Sequence, residues 1–296
     1  HYFNLMIGKR IALGTVQFGI HYGISNINKG RVDQTEVEVI LDYAKLSEIK
    51  TLDTAISYGE SEDSLGKAGV DNWDVVTKLP KLPSSCTDIF SWVESQVTES
   101  LSRLKISKVY GLLLHCPMQL TESVGVDLWC ALQKVKHIGL VDKIGFSIYS
   151  PGELDTLWPL FKPDLVQVPY NVIDRRFEES GWLRCMYKNS VEVHVRSIFL
   201  QGLLILPKED RPLKFDPWKN LWTRWDKWLN SENITAQQAC LRFALSNQYI
   251  DKVVIGVDNI EQLKQILSSS LEPLLVPEEF SEADLNLINP SHWSLL

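Results

Sequence analysis

Apolar residues along this chain keep two alternating rhythms: short, nearly continuous runs, and longer stretches in which they recur every three or four positions. The first suits a strand buried on both faces, the second a helix with one apolar stripe. Strands are predicted over residues 11–17, 51–53, 73–78, 108–115, 144–147, 165–168, 191–197 and 252–255. Helical patterns alternate with them over 32–46, 61–68, 88–104, 127–136, 178–187 and 260–267. In 88–104, Ile89, Trp92, Val93, Val97 and Leu101 share one face. Ser150-Pro151-Gly152-Glu153 reads as an N-cap, a first-turn proline and a capping-box acid. Residues 207–245 hold more than one helix, and 277–296 a short helix and a tail.

Strand and helix alternating in this way signal a parallel sheet wrapped by helices. Eight such units in 296 residues predict a single (β/α)8 TIM barrel, which typically needs ~250 residues and carries its chemistry on loops at the C-terminal strand ends. No shift in composition divides residues 1–296 into two domains. The net charge of -7, with no Lys/Arg cluster, argues against a nucleic-acid partner. The longest apolar run, 198–206, is broken by Gln201 and Gly202 and falls short of the ~20 residues of a membrane helix. The N-terminal residues lack the features of a signal peptide. Met6 reads as the natural start, with residues 1–5 an added leader. The cysteines Cys86, Cys116, Cys130, Cys185 and Cys240 are odd in number and contain no CxxC pair, which fits reduced thiols in a cytoplasmic protein. Cys116 beside His115 has no second ligand at metal spacing, so no metal is expected.

Candidate chemistry begins where polar residues interrupt the strands. Asp53 sits in an otherwise apolar run, and a buried carboxylate needs a partner. Tyr58 follows in the next loop, Lys78 ends the third strand and His115 the fourth. Competing motifs fail: Gly14, Gly19 and Gly23 do not space as G-x-G-x-x-G, and Gly66-Lys67 continues with Ala68 where a phosphate loop requires Ser or Thr. Gly145-Phe146-Ser147-Ile148-Tyr149 lacks the second glycine of a nucleophile elbow.

The set Asp53, Tyr58, Lys78 and His115 resembles the catalytic tetrad of the aldo-keto reductases, bacterial branch. Similar segments run in family order: Leu13-Gly14-Thr15, Leu52-Asp53-Thr54-Ala55, Tyr58-Gly59-Glu60-Ser61-Glu62 and Gly256-Val257-Asp258-Asn259-Ile260-Glu261-Gln262-Leu263. The resemblance implies a nicotinamide-dependent oxidoreductase that interconverts an aldehyde or ketone, or a sugar, and its alcohol. Tyr58 would be the general acid, Lys78 the cation that favours an ionised phenol, and Asp53 the anion that holds Lys78. By the same resemblance His115 would orient the carbonyl.

The resemblance also implies where a cofactor lies. Thr15, Ser147 and Gln167 match cofactor positions, the last two at the nicotinamide carboxamide, although Ile148 replaces the usual Asn. Arg196 stands where many members stack an aromatic residue on the nicotinamide ring. Ser197, Phe199, Gln201 and Gly202 belong to a segment similar to the one covering the pyrophosphate. Gly256, Asp258, Asn259 and Gln262 fall at the adenosine end, where Gln265 and Ile266 replace a common Glu-Asn pair. NADP is the family habit, but a carboxylate at Asp258 repels a 2′-phosphate and accepts from a free ribose hydroxyl, so NAD stays open.

The loop 17–22 and the segment after the seventh strand are expected to wall a substrate pocket. Trp218, Trp222, Trp225 and Trp228 recur at helical spacing, either as a core stripe or as a platform for a flat, hydroxylated substrate. Arg175 and Arg176 read as surface ion-pairing residues or as contacts for an anionic substrate. Two rivals to the reductase reading are a nucleotide-binding regulatory or scaffold protein without turnover and a sugar isomerase, which would call for metal ligands or paired carboxylates. The sequence is silent on substrate, direction and oligomeric state.

Overall fold

A computed structural model describes residues 7–22, 30–269, 272 and 274–295, so the expected start at Met6 lies outside the described residues. The strands β1 (Ile11–Gly14), β2 (Thr51–Asp53), β3 (Asp74–Leu79), β4 (Val109–Leu114), β5 (Val141–Ser147), β6 (Leu165–Pro169), β7 (Glu192–Arg196) and β8 (Lys252–Gly256) close into a barrel in chain order. Every neighbouring pair is parallel, and β1 meets β8 with Gly14 opposite Gly256. Helices cover the outer face and the strands' own side chains fill the interior, so both faces are buried, which explains their nearly unbroken apolar character. Among the described residues no helix is long and apolar enough to cross a membrane.

Local chemistry sets several boundaries. Asp33 caps the helix Gln34–Leu46 by accepting from Glu36 N, and Asp88 caps Ile89–Leu104 by accepting from Ser91 N. The Glu153 carboxylate reaches back to Ser150 N at 2.8 Å at the start of Pro151–Leu157. The first strand is shorter than predicted: the chain leaves the sheet at Thr15 and makes a helical turn, Val16–Gly19. The fifth is longer, because Asp142 and Lys143 find partners in Lys108 and Glu192. The helix expected over 178–187 is two, Arg176–Glu179 and Trp182–Lys188, divided at Gly181, whose φ of +81° no helix accommodates.

The N-terminal end of the barrel holds a polar cluster. Glu192 accepts from Tyr110 Oη at 2.6 Å and pairs with Lys143, while its other oxygen meets His194 Nε2 at 2.6 Å. His194 is fully buried and its Nδ1 has no partner.

The tryptophan stripe resolves as core. On Lys219–Glu232 both Trp222 and Trp225 are buried, donating to Phe215 O at 3.0 Å and Leu204 O at 3.2 Å. Trp225 stacks on Trp228 and meets Phe280 edge-on. None of the four tryptophans lines the cavity described below. Arg175 is not a surface residue either: it is buried, donates to Val172 O, Val276 O and Pro277 O, and lies over the Phe243 ring.

Candidate active site

Three consecutive strands deliver the four singled-out residues to one mouth of the barrel. Asp53 ends β2, Lys78 lies one residue from the end of β3, His115 directly follows β4, and Tyr58 comes from the loop after β2. Lys78 is 1% and Asp53 4% exposed, so neither charge could persist there alone. The Lys78 ammonium donates to both oxygens of Asp53 at 2.9 Å and to Thr54 O at 2.8 Å. The Tyr58 hydroxyl stands 3.5 Å from the same nitrogen. Burial works against the charged ammonium, but the charge of Asp53, with Tyr58 beside it, leaves the Lys78 pKa above its ordinary value.

His115 completes the group, with its ring centroid 6.1 Å from that of Tyr58 and the planes nearly perpendicular. Burial, then the charges of Lys78 and Arg196, push its pKa down to about 4. The imidazole is therefore neutral at physiological pH, able to offer one N–H and one lone pair. Ser57 Oγ stands 3.3 Å from Nδ1.

The Tyr58 loop is held from behind. Gly19 packs so closely that a Cβ built on it would lie 1.7 Å from Tyr58 O, and Gly59 adopts φ +56° against Gly19 O. Ser61 ties this loop to β1, with Oγ donating to Thr15 O at 2.9 Å and lying 2.8 Å from Thr15 Oγ1. Glu62, next in the chain and buried, is braced by Thr77, Ser100 and Arg103.

Tyr58, His115 and Asp53 line a cavity of about 960 Å³, at the upper end of the ~300–1,000 Å³ of small-molecule sites. Every residue expected at a cofactor lines it except Asn259. Asn259 is committed elsewhere: its Oδ1 accepts from Gln262 N at 3.0 Å and caps the helix Ile260–Leu267. Thr15 lines the cavity, but its hydroxyl is spent on Asp53 O and Ser61.

Three buried acceptors without a hydrogen-bond partner lie along this cavity: Gln17 Oε1, Gln167 Oε1 and Asp258 Oδ1. At Gln167 the orientation is dictated, because Nε2 donates to Asp53 Oδ1 at 2.7 Å and a carboxylate can only accept. Among the described residues its oxygen has no donor. After β7 the backbone is strained, with Ser197, Leu200 and Gln201 all at positive φ, between +49° and +61°. Such strain persists only where surrounding structure enforces it, commonly at ligand sites. Orphaned acceptors and a strained segment, in a cavity that also takes in Asp258 and Gln262 at the start of the helix Ile260–Leu267, fit a dinucleotide with an amide at one end and hydroxyls at the other.

Two contributors escape a reading of the sequence. Tyr149 lies under the Arg196 guanidinium, 4.5 Å from ring centre to guanidinium carbon, and Ser57 partners His115. The only signal was position, since both fall in loops directly after strand ends.

Comparison with known proteins follows the same outline. Residues 10–285 match the model of the aldo/keto reductase family. An aldo-keto reductase of Mycolicibacterium vanbaalenii is 29% identical over 154 residues, 49% of this chain and 53% of the relative, so the match spans about half of that protein. Among solved structures, aldo-keto reductase AKR11C1 from Bacillus halodurans in its holo form is similar with a TM-score of 0.72 and 21% identity, over 96% of this chain and 94% of that one. A thermostable aldo-keto reductase, Tm1743, solved with the inhibitor epalrestat, is similar with a TM-score of 0.66 and 21% identity over 92% of both chains. At such identities the structural likeness speaks for the fold.

Proposed function

The chain belongs to the aldo/keto reductase family, and on that premise we propose that it is a nicotinamide-dependent oxidoreductase reducing an aldehyde or ketone to its alcohol at Tyr58. The observation that carries this reading is the convergence of Tyr58, Lys78, Asp53 and His115 on one barrel mouth, with the phenol 3.5 Å from a buried ammonium.

Reduction of a carbonyl places negative charge on its oxygen, and a donor aimed at that atom lowers the barrier. Tyr58 delivers the proton through its hydroxyl. The phenolate left behind is stabilised by the Lys78 ammonium, which Asp53 keeps charged and immobile. His115, neutral at working pH, donates a second hydrogen bond from Nε2 when Ser57 donates to Nδ1. Two donors on one oxygen would fix the orientation of the carbonyl. A nicotinamide, when bound, would supply the hydride. Gln167 would receive its carboxamide, the strained segment after β7 would cover its phosphates, and Asp258 would meet the adenosine ribose.

The test is Tyr58→Phe with a panel of aldehydes, ketones and aldoses, following absorbance at ~340 nm, the usual wavelength for reduced nicotinamides. Nucleotide affinity is expected to stay within about twofold, while carbonyl reduction falls by roughly 10²–10⁴-fold. Retained turnover refutes the role of Tyr58. Wild-type protein that binds nucleotide yet oxidises it with no carbonyl compound supports a regulatory or scaffold protein.

A further inference from the structure

Arg196 ends β7 and lines the same cavity as Tyr58 and His115. Among the described residues its guanidinium makes one hydrogen bond, from Nη2 to Ile148 O at 2.9 Å, and no ion pair. The other charged groups of the cavity wall are engaged or exposed. Arg176 is paired with buried Asp174, its Nε and Nη2 donating to the two carboxylate oxygens at 2.8 and 2.9 Å. Asp53 is held by Lys78, Asp258 lies beside Gln262, and Asp210 is exposed. The Arg196 guanidinium rests on the Tyr149 ring, 4.5 Å from its centre, and this contact with the bond to Ile148 O fixes its place.

A guanidinium stays charged at every pH the fold survives. Half-buried with one neutral acceptor, this one brings to the reacting centre a positive charge that no carboxylate of the described residues cancels. After burial and Lys78 it is the third cause of the lowered pKa of His115, and it opposes the rise that burial and Tyr58 impose on Tyr22. The two redox forms of a nicotinamide differ by one unit of charge on the ring: the oxidised ring is a cation, the reduced ring is neutral, and the rest of the nucleotide is common to both. To pass a hydride to a carbonyl held by Tyr58 and His115, the ring must lie against that carbonyl, within the field of this guanidinium. The aromatic side chains that many family members carry at this place have no net charge.

We propose that Arg196 is the residue by which this chain distinguishes the two redox forms of its nucleotide: it disfavours the cationic oxidised ring, so that the reduced form fills the site and the oxidised form leaves it readily. This rests on the reading of the Tyr58 centre as a nicotinamide-dependent reductase and gives that reading a direction, since a protein loaded with reduced nucleotide is poised for carbonyl reduction. Two like charges at a half-buried site disfavour each other by roughly 10- to 100-fold in affinity, which raises the two-electron potential of the bound couple by about 30–60 mV. The same shift weakens the drive for hydride transfer on the protein, so the gain lies in occupancy and release.

Wild type, Arg196→Met and Arg196→Tyr, first compared for melting temperature, are titrated calorimetrically with NADH, NAD+, NADPH and NADP+. In whichever pair binds, wild type is expected to hold the reduced form roughly 10- to 100-fold tighter than the oxidised form. In both neutral variants the ratio is expected to fall to within about threefold of unity, chiefly through a gain in affinity for the oxidised form, which loss of a merely structural residue would not give. A wild-type ratio within about twofold of unity overturns the proposal, and so does a ratio that persists in a folded variant. An equal loss of affinity for both forms, with the ratio kept, overturns it as well and assigns the guanidinium to the phosphates they share. If Arg196→Met does not fold, Arg196→Tyr decides alone. Absence of binding by all four nucleotides would sink the reductase reading and this inference together. Redox-selective binding without turnover of any aldehyde or ketone would keep the inference and condemn only the reductase reading.

Discussion

Asp258 is the side chain on which the expected choice of cofactor turns. Its Oδ1 is buried along the cavity wall without a partner, and its Oδ2 is 3.4 Å from Gln262 Nε2. Burial raises its pKa, against the hydrogen bond from Gln262. A phosphate would meet repulsion there, whereas a ribose hydroxyl can donate. NADH is therefore expected to bind at least ~10-fold tighter than NADPH, measured by quenching of the 10 tryptophans. Asp258→Ser should narrow the gap. Equal affinity of the wild type for both would remove Asp258 from cofactor selection. Asp53 and Lys78 were legible in the sequence because a charge inside an apolar strand demands a partner, and each is the other's. Tyr149 and Ser57 were not, since a polar residue in a loop satisfies itself with water unless tertiary structure brings a neighbour.

At the scale of elements, the turn Val16–Gly19 and the Tyr58 loop act as one unit. Their backbones touch at Gly19 and Tyr58 O, a contact that no side chain at position 19 allows. Gly19→Ala is expected to destabilise the fold by about 1–3 kcal/mol and to lower kcat/KM by at least ~10-fold, because displacement of the phenol by a fraction of an ångström disturbs its aim. Gly69→Ala serves as the control. Its φ of +84° makes alanine unfavourable by about 1–2 kcal/mol, but a Cβ there meets nothing and activity should be unchanged. Equal activity of the two variants would show that Gly19 does not position Tyr58. Element types and order were legible from periodicity, but several ends were not. The first strand stops early and the fifth starts early because pairing partners elsewhere in the chain end or extend the ladder. The core reading of the tryptophan stripe needed Phe280, 55 residues beyond Trp225, to be brought against it.

Across the whole molecule, the barrel carries the proposed centre at one mouth and a partly buried polar cluster at its base. At that base burial pushes the Glu192 carboxyl up, but the hydrogen bond and charge of His194, with Lys143 and Tyr110, outweigh it and hold the pKa down to about 2. A depressed carboxyl stabilises the native state above its unfolded pKa, near 4.5, and the contribution is lost as pH falls from there toward 2. Glu192→Gln should therefore be less stable than wild type by about 1–3 kcal/mol at pH 7, with the difference shrinking between pH 4.5 and 2 in denaturant titrations. A difference constant over that range would mean that the cluster contributes through packing alone. The sequence by itself determined the alternation of strand and helix, the barrel that eight such units imply, and the need of Asp53 in an apolar strand for a charged partner, because periodicity and the cost of a buried charge are local properties of the chain; Tyr58 and His115 were picked out with them by the family resemblance. Tertiary structure alone decided that Arg176 pairs with a carboxylate while Arg196 has none among the described residues, that the tryptophans pack inward, and that Asn259 caps a helix instead of facing the cavity. Those outcomes depend on which distant groups reach a given atom first, and spacing along a chain carries no record of that.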